Sequence, residues 1–205
     1  MNALNRKPLR LGFLASRNGS SLRAVVTAIE AGELPAEAAV VISNNRSSAA
    51  LEFAREHGVS AVCIPTKDDA EAADARLCET LEAAGVDLVV LSGYLRRLGP
   101  RTLTRYRNRV LNIHPGPLPR FGGEGMYGRR VHEAIIGSGA NQSGATIHLV
   151  DEEYDHGPVV AERVLTLEPG ETAESLEARI TALEPVFFVE TLKKIASGAL
   201  ELPAA

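Results

Sequence analysis

Asn112 and His114 stand two residues apart in RVLNIHPGPLP, directly ahead of Pro115, Pro117 and Pro119. An Asn amide can donate a hydrogen bond to a developing oxyanion, and a His titrating near neutrality can take or give a proton beside it. A spacing of two puts both side chains on one face of an extended segment. The prolines cannot donate to a sheet ladder and they restrict the residues before them, so a strand over Arg109–Ile113 is expected to run into a rigid loop. That loop then opens into Gly122, Gly123, Gly125 and Gly128. Further on, DEEYDHG (Asp151 to Gly157) is too acidic for a core. It is expected to bring Asp155 beside His114, holding the ring and favouring its protonated form. Taken singly, a capping Asn and a satisfied core His are the plain alternative. The loops that flank this pair favour chemistry. His57 reads as a helix-end residue, His132 as an outward helix residue, His148 as part of a strand, and His156 as part of the acidic loop. HEAII at His132 lacks the second His of a zinc-protease helix, and no metal site is expected.

A second constellation lies near the N-terminus. In SRNGSSLRAV a strand meets a helix through Asn18, Gly19, Ser20 and Ser21. A helix N-terminus presents unpaired N–H groups and partial positive charge, both favourable to phosphate. Gly19 permits close approach and the serines add donors. Ser and Asn are also ordinary N-caps, which is the competing reading. There is no Gly-Lys-Ser/Thr and no three-glycine dinucleotide spacing, so one phosphate is expected rather than a nucleotide tail.

These groups need a frame, and the hydrophobic pattern supplies one. Strands are predicted over Leu9–Ala15, Ala39–Ser43, Ala61–Pro65, Asp87–Ser92 and Arg109–Ile113. Helices are predicted over Ser21–Ala31, Ser47–His57 and Asp69–Ala84 in the first three gaps. Alternation of this kind means βαβ units and a parallel sheet. Beyond residue 113 come a helix over Arg129–Ile136, strands over Gly144–Val150 and Pro158–Leu167, and a long helix over Glu171–Ser197, kinked at Pro185. The tail GALELPAA reads as a short strand or frayed end. The expected fold class is α/β: a Rossmann-like, open, mostly parallel sheet with helices on both faces. It forms a single domain over 1–205, with a phosphate-binding half about 9–113 and a catalytic half about 114–200. Ligands bind beyond the carboxyl ends of strands in such sheets, where both constellations fall.

The chain has 205 residues, 22 Lys and Arg against 26 Asp and Glu, and a net charge of −4. This argues against nucleic acid as a partner, which requires a basic surface. Cys63 and Cys78 have no partner pattern and read as buried free thiols of a reducing compartment. The start of the chain lacks a signal-length apolar run, and a cytoplasmic protein without a membrane partner is expected.

SRNGSSL, LSGYLRRL, LNIHPGPLP and GATIHLVDEEYDHGPVV occur in the order and spacing of the phosphoribosylglycinamide formyltransferases, folate-dependent enzymes of purine biosynthesis, which the chain resembles from about Leu9 to Ser197. The resemblance implies formyl transfer from 10-formyltetrahydrofolate, a co-substrate, to the amine of glycinamide ribonucleotide, with no metal. It implies Asn112, His114 and Asp155 as the catalytic trio. Asn18, Gly19, Ser20 and Ser21 would hold the ribonucleotide phosphate, with Glu184 near the glycinamide. Leu95, Arg96, Arg97 and Leu98 would hold the pterin with Asp151, Glu152, Glu153, Tyr154 and Asp155. The protein would be a monomer or homodimer acting on two small molecules. Two departures stand out. FGGEGMYGRR replaces a segment that in the family often reads Tyr-Pro-Gly followed by a histidine, and Ala70 sits where members often carry an arginine reaching the folate tail. That contact would come from Lys67 or be absent. A formyltetrahydrofolate deformylase shares the trio but normally has an extra N-terminal domain. Methionyl-tRNA formyltransferases normally have a further C-terminal domain and a basic face, and sugar-nucleotide formyltransferases usually a longer tail. A folate- or phosphoribosyl-binding protein without activity is the non-enzyme alternative.

Overall fold

The computed structural model describes residues 7–205; Met1–Arg6, part of the stretch expected to lack a targeting signal, lies outside them. Seven strands form one sheet in the order β3-β2-β1-β4-β5-β6-β7. They are β1 (Leu9–Leu14), β2 (Ala36–Ser43), β3 (Ser60–Cys63), β4 (Leu88–Leu91), β5 (Val110–His114), β6 (Gln142–Leu149) and β7 (Val159–Thr166). β1 to β5 pair in parallel, and β6 and β7 add an antiparallel edge. The helices are α1 (Ser20–Glu30), α2 (Ala49–Glu56), α3 (Ala70–Ala83), α4 (Pro100–Arg105), α5 (Arg129–Gly137) and α6 (Ala173–Ser197). This is the open, mostly parallel α/β sheet that the pattern predicts.

Side-chain alternation splits the core into two layers. Leu11, Phe13, Leu88, Val90, Leu111, Ala145, Ile147 and Leu149 point to the layer that Leu22, Val25 and Phe188 complete from α1 and α6. Leu14, Val40, Ile42, Val89, Leu91 and Val110 point to the layer completed by Leu77 and Leu81 of α3. Because side chains alternate with period two, Asn112 and His114 share the face of Val110, and Thr146 and His148 lie opposite Ile147 on that same face. Register then sets His148 directly across from Asn112, and Thr146 across from His114. The sheet therefore converts a spacing of two in each of two strands into a four-residue polar cluster.

The short helix α4 was not expected from the pattern. Gly99 precedes it, Pro100 opens it, and Asp74 of α3 caps it from outside, accepting bonds from the Arg101 and Thr102 N–H groups and the Thr102 hydroxyl. A cap supplied from 28 residues away leaves no mark in the local sequence. α6 is assigned as one helix through Pro185, opened by a Thr172–Ser175 capping box. The tail forms no strand. Asn108 and Arg109 hold it through the Ala204 and Pro203 carbonyls. No described helix is long and apolar enough to cross a membrane. Cys63 and Cys78 are free, Cys78 buried and Cys63 partly so.

Candidate active site

The end of β5, the proline loop and the acidic loop converge on one half-buried carboxylate. Asp155 Oδ2 lies 3.3 Å from His114 Nδ1, and Oδ1 lies 3.5 Å from His148 Nε2. The remaining nitrogens are also engaged. His114 Nε2 is 2.7 Å from the Phe121 carbonyl, and His148 Nδ1 is 2.9 Å from the Leu149 carbonyl. A carbonyl only accepts, so each of these contacts requires a proton on the ring nitrogen. In the neutral rings, His114 carries its proton on Nε2 and His148 on Nδ1. His148 Nε2 is then an acceptor and takes a bond from Asn112 Nδ2 at 3.1 Å. That bond orients the Asn112 amide and leaves its second N–H for a ligand in the cleft.

Electrostatics divides the charge within this cluster. Burial pushes His114 below its ordinary value, outweighing Asp155 and the Phe121 carbonyl, which both pull upward. Burial alone would raise Asp155. Its contacts with the His148 and His114 rings, which favour the carboxylate whenever a ring is protonated, and the Gly123 N–H together outweigh burial and hold the carboxyl below its ordinary value. The resting pair near neutral pH is therefore a carboxylate beside a neutral imidazole. Asp155 does favour the charged ring, as expected, but His114 is only 3% exposed and the desolvation of a charged ring outweighs that pull. Asp155 also sits at φ 55°, a left-handed conformation that Asp tolerates better than most residues and that places its carboxyl between the two rings.

The proline loop is held as firmly as its sequence implies. Thr146 Oγ1 donates to the Gly116 carbonyl and accepts from the Leu118 N–H. The glycine-rich turn then closes on the acid through the Gly123 N–H, 3.1 Å from Asp155 Oδ2. At Gly122 an added Cβ would lie 2.9 Å from Asp155 Cβ and still closer to Leu118 Cδ2. Gly122→Ala is expected to cost about 1–3 kcal/mol of stability through overpacking. By displacing Asp155 it should lower kcat about 10- to 100-fold. Thermal melts and steady-state kinetics on the same preparation check both.

Leu95, Arg96, Arg97 and Leu98 form the loop after β4, facing Asp151–Asp155. Leu98 is buried and Leu95 exposed. Arg97 donates to the Glu152 carbonyl and its guanidinium lies 5.4 Å from the Tyr154 ring centre, so the two segments are joined. Asp151 accepts from the Glu153 N–H and pairs with His156 at its edge. Between the segments runs a cleft of about 100 Å³ with Asn112 and His148 at its floor. It shares Tyr94, Arg97, Leu98 and Glu152 with a larger cavity of about 580 Å³. The narrow part suits a flat ring and the wide part an extended substituent.

At the other constellation, Gly19 is the N-cap residue of α1 at φ 68°, and no side chain caps the helix. The Leu22 N–H bonds Ser92 Oγ, while the Ser20 and Ser21 N–H groups have no protein acceptor among the described residues. Ser21 is buried; Asn18 and Ser20 are exposed. The missing cap favours a ligand site over an ordinary Ser or Asn cap.

Glu184 is partly exposed on α6, yet its carboxyl is desolvated and no charge offsets this, which raises its pKa from 4.5 to about 7. The folded state therefore holds this proton more tightly than the unfolded chain. Stability is greatest below about pH 4.5 for this group and falls as pH rises to about 7. Glu184→Gln is expected to remove that loss, which paired denaturant titrations at pH 5 and pH 8 would show.

His148 was missed because only β5–β6 pairing reveals it. His132 was expected to point outward but is buried on α5 at 2% exposure, with Nδ1 unpartnered. The α5 face that packs on α6 includes it together with Val131 and Ile135, where a helical repeat beginning at Arg129 left the inward side ambiguous.

The sequence profile of the formyl transferase family matches residues 9–192. The chloroplastic phosphoribosylglycinamide formyltransferase of Vigna unguiculata is 36% identical over 91% of the chain, which spans 60% of that relative's length. The phosphoribosylglycinamide formyltransferase of Haemophilus influenzae is 31% identical, over 94% of the chain and 90% of its own length. The crystal structure of glycinamide ribonucleotide transformylase 1 from Symbiobacterium toebii superposes with a TM-score of 0.87 at 34% identity, covering 100% of this chain and 95% of that one.

Proposed function

The chain belongs to the formyl transferase family, and we propose that it transfers the formyl group of 10-formyltetrahydrofolate to the amine of glycinamide ribonucleotide. The products are tetrahydrofolate and formylglycinamide ribonucleotide. The observation that carries this reading is the Asn112–His148–Asp155–His114 cluster at the carboxyl end of β5, in a sheet that also presents an uncapped helix N-terminus at Gly19. One part suits an acyl-type transition state and the other an anion.

In this reading the ribonucleotide phosphate takes the Ser20 and Ser21 N–H groups, with Asn18 at the rim and Glu184 toward the glycinamide. The folate ring enters between Leu95–Leu98 and Asp151–Asp155. The amine lone pair attacks the formyl carbon, and the free Asn112 N–H stabilises the resulting oxyanion. The C–N bond to the folate then breaks. The amine proton passes through Asp155 to His114 Nδ1, while the proton on Nε2 moves to the departing folate nitrogen, so one proton enters the pair and one leaves. For this, Nε2 exchanges the Phe121 carbonyl for substrate. A neutral His114 beside an ionised Asp155 is the state that can accept the amine proton. The reaction uses two small molecules and no metal, in the cytoplasm.

The test is complementation. A strain unable to formylate glycinamide ribonucleotide should grow without added purine when it expresses this chain, and should not when it expresses His114→Ala at equal level. Failure of the wild-type chain, present as soluble protein, would contradict the reading.

A further inference from the structure

The segment that joins β4 to α4 and carries Leu95–Leu98 is fixed at its two ends rather than along its length. At the near end the Ser16 N–H bonds the Gly93 carbonyl, and Ser16 Oγ accepts from the Leu95 N–H. At the far end Asp74 of α3 accepts from the Arg101 and Thr102 N–H groups, at 2.8 and 3.2 Å, and from the Thr102 hydroxyl. Between these anchors no N–H from Arg96 to Gly99 finds a protein acceptor among the described residues.

Asp74 lines the 580 Å³ cavity, yet it is only 7% exposed and both of its oxygens are engaged by α4. Its charge would also repel the carboxylates of a folate. Recognition of a ligand is therefore not its task. Pro100 opens α4 and has no N–H, so Arg101 and Thr102 carry the first free donors of the helix. A helix usually meets these with the side chain of its own N-cap residue. Here that residue is Gly99, whose backbone, at φ −83° and ψ 168°, suits any residue. A Cβ on it would lie 2.3 Å from Asp74 Cγ and Oδ2. The cap has thus passed from the helix's own chain start to α3. A local cap would stabilise α4 wherever it sat, whereas a cap held by α3 stabilises it in one place only. Leu98, just ahead of the helix, packs in the same core layer as Leu77 of α3.

We propose that Asp74 is a positioning residue for the folate co-substrate. By capping α4 from α3 it sets the far end of the Leu95–Leu98 segment, and with it the width of the cleft that this segment forms with Asp151–Asp155. The inference rests on the proposed function.

The experiment compares the wild type with Asp74→Ala and with the swap Asp74→Ala/Gly99→Asp. In the swap, loss of the Asp74 side chain makes room for a cap on the N-cap residue of α4 itself. Asp74→Ala is expected to lower the melting temperature and to lower kcat/KM for 10-formyltetrahydrofolate about tenfold, with KM for glycinamide ribonucleotide unchanged. The swap should return the melting temperature toward that of the wild type, because α4 is capped again. The folate defect should remain, because the cap no longer ties α4 to α3. Thr102→Val, which removes one of the three donors, should show the same selective defect in smaller measure and serves if Asp74→Ala does not fold. Recovery of both stability and folate kinetics in the swap would overturn the inference, since capping alone would then suffice. So would wild-type folate kinetics in Asp74→Ala, or KM values for the two substrates that rise together. In each of these cases the formyl transfer itself stands. A wild-type chain without turnover would overturn the proposed function and the inference with it.

Discussion

Asn112→Ala is expected to lower kcat by about a hundred- to a thousandfold, the usual loss of about 3–4 kcal/mol when one oxyanion donor is removed. KM for either substrate should change little, because the amide is needed most once charge has developed on the formyl oxygen. The fold should survive. Asn112 is half-buried, its one side-chain bond is to His148, and neighbouring Val110 and Leu111 carry the packing of β5. His148→Phe separates orientation from chemistry. It removes the acceptor that directs the Asn112 amide yet touches no reacting atom, so kcat should fall by less than in Asn112→Ala. The two changes should be less than additive, since they disable one device. Equal and additive losses would mean that His148 acts independently of Asn112.

Asp155→Asn is expected to lower kcat about a thousandfold or more, as when a buried carboxylate that orients a catalytic imidazole becomes an amide. The substitution keeps the shape but loses the charge that faces His114 and His148 at once. Its pH signature is specific. In the wild type the acid limb of kcat/KM should follow His114 and lie below the ordinary histidine value of 6.5, because burial disfavours the imidazolium. Asp155 opposes that effect, so its removal should move the limb to still lower pH in the residual activity. A limb that moves upward would show that Asp155 does not stabilise the charged ring.

The parallel core was legible because β4 and its neighbours are unbroken apolar runs between helices, a pattern with few other solutions. Asn112 and His114 were legible because a polar pair at a strand end followed by three prolines suits little else. Asp155 could be placed only as a loop acid, since its left-handed backbone and its bond to Gly123 are tertiary facts. His148 was hidden by its own surroundings: in GATIHLV it reads as a β-strand residue, and its role follows only from the antiparallel register that sets it against Asn112. The net charge balance of His114 needed the structure for a related reason. Sequence supplies the nearby acid but not the depth of burial, and burial decides the balance.

The most direct measurement mixes the purified protein with 10-formyltetrahydrofolate, with and without glycinamide ribonucleotide, and follows the deformylated folate by absorbance and the ribonucleotide by mass. Folate release that requires the ribonucleotide, matched by one formyl group gained on it, is the predicted result. Release without any acceptor would contradict the transferase and identify a hydrolase using the same four side chains.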